Sequence, residues 1–190
     1  MDEARGAQQR LFVAVPLPEA LAGFVREAQD LLPPAPGLRL MGPQQFHVTL
    51  AFIGEVEAAK AEAARAVVES VPAGMGGEGV FERFLLLPSP RKTRVVALEL
   101  SDGEGSFKRL YEWVMSGLER AGVMQREKRP FRPHLTIARL RNPGMVQPRS
   151  ESGRARYAIE SVCLYRSELT PRGAVYTVLA RKDLVNEVEA

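Results

Sequence analysis

The segment Phe46-His47-Val48-Thr49-Leu50-Ala51-Phe52-Ile53 has a counterpart in His134-Leu135-Thr136-Ile137-Ala138-Arg139-Leu140. Each reads as a short strand, and Gly54 ends the first. The chain has only two histidines, and each has a threonine two positions on. With five threonines among 190 residues, that coincidence has a chance of roughly one in a thousand by composition alone. Strand side chains alternate between faces. His47 and Thr49 therefore share one face, with Val48 and Leu50 behind them. His134 and Thr136 share another, with Leu135 and Ile137 behind. Each strand shows an imidazole and a hydroxyl to one side and an apolar back to the other.

Outward from these strands the pattern repeats. Residues 10–15 read as a buried strand broken by Pro16 and Pro18. Leu21, Phe24, Val25, Ala28, Leu31 and Leu32 then fall at helical spacing until Pro33 and Pro34 stop the helix. Residues 37–41 read as a strand that precedes the first motif. In the second half a strand at 94–100 is followed by a helix near 104–121, with Phe107, Leu110, Tyr111, Val114 and Leu118 on one stripe, ended by Gly122. The second motif follows. Strand–helix–(strand)–strand thus occurs at about 10–53 and at 94–140, an internal duplication by pattern. Between the copies lie an alanine-rich helix at 57–71 and a strand at 80–87. After them come a loop at 141–154, strands near 157–165 and 174–181, and an acidic tail beyond Asp183 expected to fray. The expected fold class is α+β: two pseudo-symmetric lobes, each an antiparallel sheet with helices on its outer face, around a central cleft. Residues 1–190 are read as one bilobal domain.

Composition narrows the function. Hydrophobic residues are 45% and charged residues 26%, ordinary for a globular protein. One cysteine, Cys163, permits neither an intrachain disulfide nor a cysteine zinc site. No apolar run approaches a membrane span, and Met1-Asp2-Glu3-Ala4-Arg5 leads into no signal core. A cytoplasmic protein without membrane contact, and a monomer, are expected. Residues 1–95 carry 10 Lys+Arg against 11 Asp+Glu, and residues 96–190 carry 16 against 12. The basic second half permits an anionic partner such as RNA, and a solvated surface rich in arginine is the plain alternative.

Two imidazoles and two hydroxyls in register suit phosphodiester chemistry. A neutral histidine takes a proton from water, and a protonated one gives a proton to the leaving oxygen. Threonine hydroxyls hydrogen-bond the non-bridging oxygens. A single H-x-T in a strand is usually structural; its repetition in register argues otherwise. Two histidines without neighbouring cysteines or an H-E-x-x-H cluster make an incomplete metal set, so no metal is expected. The glycines at 74–79, Gly103 and Gly105 form neither a P-loop nor a dinucleotide fingerprint, so no cofactor is expected.

Three stretches and a C-terminal pattern resemble one family. They are Arg10-Leu11-Phe12-Val13-Ala14-Val15, Phe46 to Glu55, Phe131-Arg132-Pro133-His134-Leu135-Thr136-Ile137-Ala138-Arg139, and Leu164-Tyr165-Arg166-Ser167-Glu168-Leu169 with Gly173 and Tyr176. They resemble the RNA 2′,3′-cyclic phosphodiesterases of the two-histidine phosphoesterase superfamily, historically called 2′-5′ RNA ligases. The resemblance implies hydrolysis of a terminal 2′,3′-cyclic phosphate on RNA, tRNA fragments among such ends, to a 2′-phosphomonoester. It also implies the reverse 2′-5′ ligation. It makes His47 the proton donor and His134 the proton acceptor, with Thr49 and Thr136 holding the phosphate; chemistry alone leaves the two histidines interchangeable. Leu40-Met41 and Gln45 stand where the family often has a tryptophan and an asparagine, so no stacking role is carried to that strand. A small cyclic nucleotide or ADP-ribose cyclic phosphate is the alternative substrate. A non-catalytic nucleotide- or RNA-binding module is the alternative class.

Secondary candidates follow from spacing. Arg132, two before His134, is expected on its face as a phosphate clamp. Arg139 has the opposite parity and is expected on the rim or in a structural role. Arg126, Lys128 and Arg129 read as a basic loop able to steer RNA, or as a solvated loop. Phe46, Trp113 and Cys163 read as packing residues.

Overall fold

A computed structural model describes residues 8–171 and 173–184; the first residues of the chain and the acidic tail expected from sequence to fray lie largely outside them. The elements are β1 (Gln9–Pro16), α1 (Ala22–Asp30), β2 (Leu38–Leu40), β3 (His47–Val56), α2 (Ala58–Glu69), β4 (Gly77–Leu87), β5 (Thr93–Ser101), α3 (Ser106–Arg120), β6 (His134–Gly144), β7 (Ala155–Ile159), β8 (Ser161–Thr170) and β9 (Gly173–Asp183). All strand pairs are antiparallel, in the order β7-β4-β5-β6-β3-β1-β8-β9, with β2 also on β6.

The sheet is two halves and a narrow seam. One half is β7-β4-β5-β6 and the other β3-β1-β8-β9. They meet through one residue pair, Val48 opposite Leu135. The expected two lobes are present, and their sheets are continuous at the seam instead of separate. The whole curls into a half-barrel with helices against its apolar face. α2 packs on β9, β8 and β1; α3 on β3 and β4; α1 on β6. α2 and α3 touch where Gly117 faces Val67, an approach with no room for a Cβ. Val48, Leu50, Leu135 and Ile137 lie buried under these helices, while His47, Thr49, His134 and Thr136 are half-buried on the other face.

The expected strand at 157–165 is in fact two strands. β7 ends at Ile159 beside β4, and after Glu160 alone β8 begins beside β1, in the other half. No glycine or proline marks this crossing. The Glu160 carbonyl is taken by the Leu184 N–H (2.8 Å), so the break leaves that group satisfied. Similarly β6 runs to Gly144, into the expected loop, because Gly144 pairs with Thr93.

Candidate active site

Both motif strands carry a β-bulge at the same place. On β1/β3, Val13 faces Ala51 and Ala14 faces Thr49, so Leu50 is the extra residue. On β5/β6, Val96 faces Ala138 and Ala97 faces Thr136, so Ile137 is extra. These are the fourth residues of the two motifs. Each bulge puts two consecutive side chains in the core: Leu50 with Ala51, Ile137 with Ala138. The residues that follow, Phe52 on β3 and Arg139 on β6, change face.

That reversal corrects the sequence expectation for Arg139. Parity placed it away from His134, but the bulge returns it to the cleft, where it lines one cavity with His47 and Thr49. Phe52, at the equivalent place after the first bulge, is on the same wall. Paired apolar residues after each H-x-T were the available signal, because they break strict alternation.

The seam pair sets the geometry. One step from Val48–Leu135 along antiparallel strands, Thr49 comes opposite His134 and His47 opposite Thr136. Two cavities flank this centre. The first, about 380 Å³, is lined by His47 and Thr49 and by three arginines, Arg10, Arg39 and Arg139, with no carboxylate among its described lining residues. Arg39 and Arg139 are directly opposed on β2 and β6. Arg10 lies over the Phe52 ring at 5.1 Å. The second cavity, about 230 Å³, is lined by His134, Arg132, Arg129 and Phe131 and shares Thr49 and Phe52 with the first. The structure thus brings His47, Thr49, His134 and Arg132 to adjoining walls. Thr136 is on the face of His134 but on the wall of neither cavity.

His134 Nδ1 is 2.7 Å from the Arg132 carbonyl. A carbonyl only accepts, so Nδ1 carries the proton and Nε2 is left for chemistry. The backbone of Gln45, also two residues earlier, favours the protonated His47 ring. Around His47 stand Phe12 (4.9 Å between centroids), Tyr176 (5.4 Å, edge-on) and Tyr165 (6.1 Å). Burial pushes the His47 pKa from 6.5 down to about 4, against the Gln45 hydrogen bond, and the positive fields of Arg139 and His134 add to the fall.

Arg132 borders the cavity of His134, and its Nε donates to Glu99 Oε1. Glu99 also takes Arg83 Nε at 2.6 Å, and these hydrogen bonds, Arg132 first, hold its carboxyl below the ordinary range. In the basic loop, Arg126 pairs with Glu112 and Glu119, while Lys128 and Arg129 are exposed. Phe46 and Cys163 are buried, and Trp113 packs half-buried on the core. Among the described residues no cluster of three or more His, Cys, Asp or Glu could hold a metal ion, and no helix is long and apolar enough to cross a membrane.

Comparison with known proteins agrees with this architecture. The model of the 2′-5′ RNA ligase superfamily matches residues 17–170. An RNA 2′,3′-cyclic phosphodiesterase of Thermus thermophilus is 34% identical, over 94% of this chain and 91% of its own. One from Escherichia coli is 31% identical, over 91% and 95%. A crystal structure of a Thermus thermophilus protein superposes with a TM-score of 0.81 at 31% identity, covering 94% of this chain and 99% of the other. Escherichia coli LigT complexed with 3′-AMP gives 0.80 at 27%, with the same coverage. With both motifs at the seam of its two half-sheets, the chain belongs to the 2′-5′ RNA ligase superfamily.

Proposed function

We propose that this protein hydrolyses a terminal 2′,3′-cyclic phosphate on RNA to a 2′-phosphomonoester by acid–base catalysis between its two histidines. The observation that carries the reading is the pairing of the two H-x-T strands at Val48–Leu135, beside a cavity lined by arginines. The names of relatives at 30–34% identity support the same activity.

The phosphate monoanion lies by Thr49 and Arg139, where a hydroxyl and a guanidinium meet its non-bridging oxygens. Thr136, opposite His47 across the seam, assists from the second strand. His134 Nε2 takes a proton from water. The water oxygen bonds to phosphorus, the bond from phosphorus to O3′ breaks, and His47 gives its proton to O3′. Ligation is the same exchange, with a 5′-hydroxyl as nucleophile. In the free protein His47 is neutral at pH 7. The arriving anion offsets the positive field of Arg139 and so favours the protonated ring that the donor role needs.

The test is an oligoribonucleotide ending in a 2′,3′-cyclic phosphate, incubated with EDTA at pH 5–9. A 2′-phosphate product is expected, with a loss of at least about 1,000-fold in His47→Ala and in His134→Ala, the double variant being no slower than either. Turnover that needs added metal overturns the mechanism. Turnover of cyclic mononucleotides but not oligonucleotides moves the substrate to a small cyclic nucleotide.

A further inference from the structure

We propose that Glu99 is a positioning residue for the His134 imidazole, acting through Arg132; this rests on the histidine pair proposed above. Glu99 is the direct cross-strand partner of His134. Its carboxylate is only 12% exposed and accepts Arg132 Nε on one oxygen and Arg83 Nε on the other. The Arg132 carbonyl accepts His134 Nδ1–H. Between them the Pro133 carbonyl accepts the Leu100 N–H at 3.1 Å. The short run Arg132-Pro133-His134 is therefore fastened to Glu99-Leu100 by side chain and by backbone.

The first motif has the same design in different chemistry. Gln45 likewise stands two before His47, its backbone favours the protonated ring, and its side chain is pinned at both ends. Gln45 Oε1 accepts the Gly42 N–H at 3.1 Å, and Nε2 donates to the Ala174 carbonyl at 2.8 Å. In both motifs the residue two before the histidine is itself anchored by its own side chain. A neutral amide serves the more enclosed His47. An ion pair serves His134, which follows a loop.

A carbonyl fixed in place selects one ring tautomer, and that decides which nitrogen faces the cleft. Pro133 has no N–H to give, so the carbonyl of Arg132 depends on the Glu99 pair for its orientation. This also explains why Arg132 is turned toward β5 although it borders the cavity.

Imidazole ¹⁵N spectra and steady-state kinetics of the wild type, Glu99→Gln and Arg132→Gln test this. The wild type is expected to show His134 as the Nδ1–H tautomer, and both variants a mixture. kcat is expected to fall about 10- to 100-fold with KM within about twofold, as for other groups that orient a ligand or base. The double variant is expected to be no slower than either single one. An unchanged tautomer in both variants overturns the proposal. So does a higher KM in Arg132→Gln with Glu99→Gln unaffected, which makes Arg132 a phosphate contact. If the wild type shows no turnover, the functional reading fails while the ring spectra still decide the role of Glu99.

Discussion

At the scale of single residues, two identical rings are controlled by different surroundings. His47 sits among Phe12, Tyr165 and Tyr176 and is held neutral. Its pKa in the unfolded chain is near 6.5 and in the fold about 4. Between these values the unfolded chain binds more protons, so stability rises with pH and is lost as pH falls from 6.5 toward 4. His47→Asn is expected to flatten this dependence, removing an acid loss on the order of 2–3 kcal/mol. Urea unfolding midpoints at pH 4.5 and pH 7 check it. Arg139 acts on the same ring from β6. Arg139→Gln is expected to raise the His47 pKa, read by NMR titration, and to weaken inorganic phosphate binding by about 10-fold or more, the worth of a charged hydrogen bond. Unaltered phosphate affinity would remove Arg139 from the clamp.

At the scale of elements, the bulges decide which side chains reach the cleft. A regular β6 would bury Arg139 and leave the cleft without it. The bulge at Ile137 is held by its carbonyl, which accepts the Met41 N–H at 2.9 Å and Gln29 Nε2 at 2.8 Å; the same Nε2 donates to the Met41 carbonyl. Gln29 is a buried amide on α1, so a helix reaches across to fix the strand that carries the second motif. Gln29→Leu removes both of these buried side-chain hydrogen bonds, the Ile137 carbonyl keeping only the Met41 N–H, and is expected to destabilise the fold by about 1–3 kcal/mol. Thermal unfolding measures this, and a smaller phosphate affinity should accompany it. The strand and helix preceding each motif were legible from periodicity and from the proline and glycine stops. The bulges were not, because alternation was read straight through Leu50-Ala51 and Ile137-Ala138.

At the scale of the molecule the two half-sheets pair at one residue of the seam, and at Glu160 the chain passes from a strand of one directly into a strand of the other. Side chains add to this. Tyr157, on the outermost strand β7, is fully buried and donates its hydroxyl to the Val15 carbonyl on β1 at 2.8 Å, closing the curl across the interior. Its ring packs on Phe81 and Phe107, and Phe81 on Phe24 of α1. Tyr157→Phe keeps that packing and removes the hydroxyl's bond to the Val15 carbonyl. A loss of about 1–2 kcal/mol is expected in denaturant unfolding, with activity reduced less than stability.

The chain by itself determined the two motif strands, their shared face, the repeated order of elements and the family they resemble. These rest on local periodicity and on residue types whose chemistry is plain without coordinates. Only the tertiary structure decided that the motifs sit on neighbouring strands, that Arg139 enters the cleft, that Arg132 is committed to Glu99, and that Phe12, Tyr165 and Tyr176 enclose one histidine and not the other. Each of these joins residues distant in the chain, or depends on one extra residue in a ladder. Such facts come from register and packing, which arise when the partner strand is in place.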